Sequence, residues 1–231
     1  MKIDVKQLAR MMDLSAVRAD VEPDEVRSLA EACKRYNCIC AFVMPCYMAE
    51  LKNLLADAPE VGLGGVVGFP SGAVTTAAKV AEVREHQALG ATEMDMVLNV
   101  GLLRAGRHEE VEADIRAVVD AAAPTPVKVI LEAHYLNDEQ IVRGCEICVR
   151  AGAAFVKTGT GWAPTGATLD NVALMKSAVG DTAEVKAAGS VRDLETVVEM
   201  IRRGVTRFGV GLSSGTEILE ACAALDGGIE V

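Results

Sequence analysis

The chain has 231 residues, 51% of them hydrophobic and 24% charged, which suits a folded protein with a sizeable core. Aromatic residues are only 3%, so that core has to be built from Ala, Val, Leu, Ile and Met. A net charge of −10 excludes nucleic acid and an anionic membrane surface as the main partner, since both reward a basic face.

Strand-like apolar runs alternate with helical patterns along the whole chain. Residues 10–14 read as a first short strand. A helix follows at 23–36, with Pro23 in its first turn and Asp24 and Glu25 near its positive end. A second strand at 38–44 is stopped by Pro45 and leads to a helix at 47–56. The third unit is a strand at 64–69, closed by Pro70-Ser71-Gly72, and a helix at 75–89 with Gly90 as its stop. The fourth is a strand at 93–98 and a helix at 107–122. The fifth is a strand at 127–132 and a helix running to Arg150, capped by Asn137-Asp138-Glu139 and ended by Gly152. A sixth strand at 153–157 enters a loop with two glycines before a helix at 169–179. Residues 184–188 with a helix at 192–203, and 206–210 with a helix at 216–225, complete the series.

Eight strand–helix units of this length, with short and nearly continuous apolar strands, predict an α/β fold: a (β/α)8 TIM barrel forming a single domain over residues 1–231. A doubly wound open sheet is the alternative, and the lack of GxGxxG after the first strand weighs against it. No stretch approaches about 18 consecutive apolar residues, so no membrane helix is expected. No signal peptide is expected either. Seven cysteines in a chain this long read as reduced thiols of a cytoplasmic protein. Cys145 and Cys148 form a lone CxxC on a helix, read as buried structural thiols.

A (β/α)8 barrel carries its active site at the carboxyl ends of the strands, and strand side chains alternate with period two. The sixth strand ends on Lys157, where an ammonium loses hydration. Glu93 and Asp95 share one face of the fourth strand, Lys128 and Glu132 one face of the fifth, and Glu184 and Lys186 one face of the seventh; Asp13 adds a charge from the first. Buried charges persist when paired, so a cluster of Asp13, Asp95, Lys128, Glu132, Lys157 and Lys186 is coherent, and coupled titratable groups are what an active site needs. Desolvation and a nearby cation both lower a lysine pKa, and a neutral amine attacks carbonyls. The expected chemistry is a Schiff base on Lys157. A carbinolamine forms and loses water, and the resulting iminium draws electrons from the carbon–carbon bond two atoms away. Lys186 would keep Lys157 neutral and Asp95 would move protons.

A zinc ion is the other way to stabilise an enamine. His86, His108 and His134 lack ligand spacing; the first two read as helix surface, and His134 as either a strand-end polar residue or a substrate contact. No metal and no other cofactor is expected. A phosphate would find backbone N–H groups at Gly159 and Gly161, at Gly189-Ser190, and at Gly211 with Ser213 and Ser214 before the last helix. The expected partner is a small phosphorylated sugar or aldehyde, and the apolar helix faces permit a homodimer.

The segments Met12-Asp13-Leu14, Val66-Val67-Gly68-Phe69-Pro70, Glu93-Met94-Asp95-Met96-Val97-Leu98-Asn99, Lys128-Val129-Ile130-Leu131-Glu132, Phe155-Val156-Lys157-Thr158-Gly159-Thr160-Gly161 and Val185-Lys186-Ala187-Ala188-Gly189 resemble those of deoxyribose-phosphate aldolase. The similarity runs in order over nearly the whole chain. It implies a metal-free (β/α)8 barrel with Lys157 as the Schiff-base residue, Lys186 and Asp95 as its proton relay, and Asp13 in the pocket. It implies reversible cleavage of 2-deoxy-D-ribose 5-phosphate to D-glyceraldehyde 3-phosphate and acetaldehyde, a step of deoxyribose phosphate catabolism. Asp13, Lys128, Glu132, Thr158, Gly161, Gly189, Ser190, Gly211, Ser213 and Ser214 are then the expected substrate contacts. The chain departs from the pattern at Gly159, usually serine, at Ser190, usually glycine, and at Ala133, usually threonine, with His134 behind it. Trp162 stands beside the nucleophile, and the exit of the last strand is longer than usual. A Schiff-base aldolase for another sugar phosphate or keto acid, and a barrel that binds a sugar phosphate without turning it over, are the other readings.

Overall fold

In a computed structural model, which describes residues 2–231, eight short parallel strands close into a barrel with helices outside it. Met1, inside the expected domain, lies outside the described residues. First come β1 (Lys2–Ile3) and α1 (Val5–Ala9), the helix opened by a capping box between Asp4 and Gln7. The barrel proceeds through β2 (Met12–Ala16), α2 (Pro23–Tyr36), β3 (Cys40–Val43), α3 (Met48–Leu54), β4 (Gly62–Val67), α4 (Thr76–Leu89) and β5 (Glu93–Val97). It continues through α5 (Val100–Arg104), α6 (His108–Ala122), β6 (Val127–Ile130), α7 (Asp138–Arg150), β7 (Phe155–Lys157), α8 (Leu169–Val179), β8 (Glu184–Ala188), α9 (Leu194–Arg202), β9 (Val205–Gly211) and α10 (Leu212–Ala223). β9 pairs with β2 to close the ring, and β10 (Ile229–Glu230) returns antiparallel to β1.

Local chemistry sets the helix ends. Pro23 opens α2, which stops at Asn37 in the left-handed region, where the short amide side chain is tolerated. Gly90 ends α4 at φ 92°, and the Asn137–Gln140 capping box opens α7. These match the predicted ends. The first strand does not: it runs Met12–Ala16 rather than 10–14, because Arg10 serves as the C-cap of α1. The Arg10 guanidinium there donates to the carbonyls of Asn37, Cys38 and Glu60. The last helix also begins earlier than predicted. Gly211 is its N-cap and Ser213 and Ser214 lie in its first turn; small polar residues that read as loop formers also suit a helix start. The short helix α5 was not foreseen; the Asn99 side chain opens it by accepting from Leu102 N–H.

The main core lies between the outer faces of the strands and the helices, with Leu14, Val43, Met94, Val129 and Val185 among its fully buried members. Inside the barrel a small separate cluster, Cys40, Phe42 and Val66, sits beside the charged side chains of the other strands. Gly64 makes room for it: a Cβ there would lie 2.4 Å from the Phe42 ring.

His86 is not on the helix surface, as the sequence suggested. It is fully buried, with Nε2 2.8 Å from the Val66 carbonyl oxygen. Lys79, Val83 and His86 form the sheet-facing stripe of α4 at i, i+4 and i+7, and two polar members hide that stripe from a hydropathy reading. Lys79, also fully buried, pairs with Asp114 of α6 at 2.6 Å and donates to the Val97 carbonyl at 2.9 Å. Cys145 and Cys148 are buried free thiols. No helix among the described residues is long and apolar enough to cross a membrane.

Candidate active site

Strand register decides what faces the interior. Asp95 lies opposite Lys128 on β6, and Lys157 opposite Lys186 on β8, so the period-two alternation carries charges from neighbouring strands into one space. A cavity of about 390 Å³ opens above them at the carboxyl ends of the strands, with Asp13, Asp95, Lys157 and Lys186 in its wall.

Asp95 is the hub. Its Oδ2 accepts from Lys157 at 2.8 Å and from Lys186 at 2.6 Å, while Oδ1 accepts from Lys128 at 3.0 Å. Lys186 also donates to Asp13 at 2.5 Å. The Phe42 ring lies 4.5 Å from the Lys186 ammonium and 4.7 Å from that of Lys128, so its π-face meets both cations. Gly209 keeps the space for Lys186, because a Cβ there would fall 2.9 Å from its Cε.

These contacts set the proton affinities. Burial lowers Lys157, Asp95 raises it again and Lys186 lowers it, leaving the amine at about 8. Burial raises the Asp95 carboxyl, yet Lys128, Lys157 and Lys186 hold it well below the usual carboxylate range. Asp13 behaves likewise: burial raises it, and Lys128, Lys186 and Arg207 bring it below its ordinary value. For Lys128, burial is outweighed by Asp13, Asp95 and Glu93, so its ammonium is held more firmly than usual. One amine is thus brought down to about 8, while the neighbouring Asp95, Asp13 and Lys128 are shifted toward their charged forms.

The other expected contacts divide by position. Gly161, Gly189, Ser190, Gly211 and Ser214 line the cavity. Lys128 lies beneath it, fully buried among carboxylates. Thr158 clamps β7 to the end of β8: its hydroxyl donates to the Ala188 carbonyl at 2.7 Å and accepts from Ala188 N–H at 2.8 Å. Glu132, at φ 51°, turns away from the cavity and accepts from the N–H and hydroxyl of Thr160. That carboxylate therefore braces the loop after β7. Ser213 points outward, bonding Glu217 at 3.0 Å. His134 meets Thr165 at 2.7 Å in the same loop and is not in the cavity wall.

Several residues of this region escaped the sequence reading. Arg207 of β9 reaches Asp13 at 2.8 Å and Glu93 at 2.7 Å; its place on the face of Gly209, two residues on, was the available signal. Phe42 stands on the corresponding face of β3. Trp162, which the sequence already marked beside the nucleophile loop, forms part of the mouth, its indole N–H donating to the Val17 carbonyl at 2.8 Å and its ring meeting Phe69 edge-on at 6.1 Å. Arg18 and Arg192 complete that rim.

Residues 2–221 match the family described as DeoC/LacD family aldolase. A deoxyribose-phosphate aldolase of Klebsiella pneumoniae is 48% identical over 215 residues, covering 92% of this chain and 86% of that protein. One from Sinorhizobium medicae is 44% identical over 222 residues, covering 96% and 90%. Among solved structures, the tetrameric deoxyribose phosphate aldolase of Aeropyrum pernix superposes with a TM-score of 0.88 at 29% identity, covering 96% of this chain and 93% of that one.

Proposed function

Because this chain belongs to the DeoC/LacD family of aldolases, and is a lyase, we propose that it cleaves 2-deoxy-D-ribose 5-phosphate reversibly to D-glyceraldehyde 3-phosphate and acetaldehyde through a Schiff base on Lys157. The observation that carries this is the Lys157 amine, poised at about 8 in the cavity wall and 2.8 Å from Asp95. The deoxyribose-phosphate aldolases of Klebsiella pneumoniae and Sinorhizobium medicae, 48% and 44% identical to this chain, support that substrate.

In the open-chain sugar, Lys157 Nζ attacks the C1 aldehyde carbon, and the carbonyl electrons pass to oxygen, which is protonated. The carbinolamine loses that oxygen as water, leaving an iminium. Lys186, sharing Asp95 Oδ2 with Lys157, supplies the proton on one leg and Asp95 accepts it on the other. Asp95 takes the C3 hydroxyl proton as the C2–C3 bond breaks and its electrons flow into the iminium, and that proton is the one returned to C2. Glyceraldehyde 3-phosphate leaves, and the enamine is protonated at C2. Water then hydrolyses the acetaldehyde iminium and restores the amine.

The phosphate sits over Gly189, Ser190 and Gly211, with Ser214 in the first turn of α10, where unpaired N–H groups and the helix dipole favour an anion. Residues 1–231 act as one barrel domain, in the cytoplasm, with neither metal nor organic cofactor called on by the steps above.

Incubation with deoxyribose 5-phosphate should release acetaldehyde, and borohydride should fix a two-carbon or sugar adduct on Lys157, located by peptide mass. Lys157→Ala should lose both the adduct and roughly 10⁴-fold or more of kcat/KM. Release of acetaldehyde by that variant at the wild-type rate would sink the reading.

A further inference from the structure

The charged side chains under the cavity close on themselves. Lys186 touches Asp13 at 2.5 Å; Asp13 touches Arg207 at 2.8 Å; Arg207 touches Glu93 at 2.7 Å. Glu93 then touches Lys128 at 2.6 Å, Lys128 touches Asp95 at 3.0 Å, and Asp95 returns to Lys186 at 2.6 Å. Lys157 hangs on this ring at Asp95 and lies outside it. The ring alternates three cations with three anions and is neutral by itself, so protonated Lys157 is surplus charge. We propose that Glu93 and Arg207 are positioning residues for the reaction: by closing the ring beneath the cavity they commit Asp13 and Asp95 to other cations and leave Lys157 without a carboxylate of its own.

The surroundings add little charge. From β3 come the Phe42 ring and the Cys40 thiol, which burial pushes well up and so keeps protonated. β4 contributes Val66, and β7 contributes Phe155, whose ring lies 5.3 Å from the Arg207 guanidinium. Asp13 stands for β2, Glu93 and Asp95 for β5, Lys128 for β6, Lys186 for β8 and Arg207 for β9, while Glu132 past the end of β6 is engaged by Thr160 and Glu184 at the start of β8 is exposed. Arg18 and Arg192 lie out at the cavity rim. Neither Glu93 nor Arg207 is in the cavity wall, so both act through Asp13, Lys128 and Asp95.

The consequence has a sign. Without Arg207, three anions face two ring cations, and a protonated Lys157 restores balance. Without the Glu93 charge, three cations face two anions, and protonated Lys157 is disfavoured further. Damage to packing alone would not push the two in opposite directions.

This rests on Lys157 being the Schiff-base residue, and the experiment separates the two ideas. Acetaldehyde is trapped on the enzyme with cyanoborohydride across pH, and the N-ethyl adduct on Lys157 is counted by mass. Wild type should show adduct rate rising with pH about a midpoint near 8. Arg207→Met should move the midpoint up by about one pH unit and Glu93→Gln should move it down by about as much. Arg207→Lys should stay near wild type, and the double variant E93Q/R207M should return toward it. Absence of a wild-type adduct would overturn the Schiff-base reading. A wild-type adduct with midpoints that stay put, or move the same way, would overturn this proposal. Should Arg207→Met not fold, the near-isosteric Glu93→Gln decides alone: a midpoint that fails to fall rejects the proposal.

Discussion

At the scale of single residues, the Lys157 amine is the product of opposed effects. Burial removes hydration from its charge, and Asp95 restores part of what is lost. In the unfolded chain the same amine has an ordinary value of 10.5, against about 8 in the fold. The folded state therefore binds this proton less tightly, and the penalty is present in full below about 8. It fades as pH rises toward the unfolded value, so this group's contribution to stability increases with pH across that window. The span corresponds to about 3 kcal/mol. Lys157→Met should accordingly be more stable than wild type at neutral pH, by an amount that shrinks toward pH 10. Paired urea titrations at the two pH values measure it, and an advantage that does not change with pH would contradict the account. Asp95 keeps Lys128 and Lys186 in that variant, so no carboxylate is orphaned.

At the scale of elements, the site depends on how helices are fastened to strand ends. Lys79 ties α4 to Asp114 of α6 and to the Val97 carbonyl at the end of β5, the strand that bears Asp95. Both partners are almost fully buried. Lys79→Met would leave Asp114 as a buried carboxylate without its cation, and should cost about 3–5 kcal/mol of unfolding free energy. Adding Asp114→Leu should recover much of that loss, since replacing both partners removes the stranded charge. Denaturant melts of the single and double variants test the pattern. Helix limits were legible where a cap residue marks them, as at Pro23, Gly90 and Asn137. They were misread at Ser213 and Ser214, because a serine suits both a loop and a first helical turn.

For the molecule as a whole, the cavity belongs to the barrel, and the first and last strands form a separate two-stranded ribbon. The carboxyl ends of the strands hold the cavity, while β1 and β10 pair only with each other, line no part of it, and bury Ile3 and Ile229 in the main core. Ile229→Ala should lower stability by about 2 kcal/mol and leave kcat/KM unchanged; an activity loss at full folding would show that the ribbon communicates with the site. The alternation of apolar strands and capped helices was enough to predict the barrel, because strand and helix periods are local properties of the chain. The same parity rule placed Asp13, Asp95, Lys128, Lys157 and Lys186 on one interior, since a side chain's face follows from counting along its own strand. What parity could not supply is depth and direction. Lys128 sank beneath the cavity, Glu132 turned through a left-handed backbone to hold Thr160, and Arg207 joined Asp13 across 194 positions of sequence. Which carboxylate a buried cation takes, and which cation is left over, is settled by distances between strands, and those exist only once the barrel has closed.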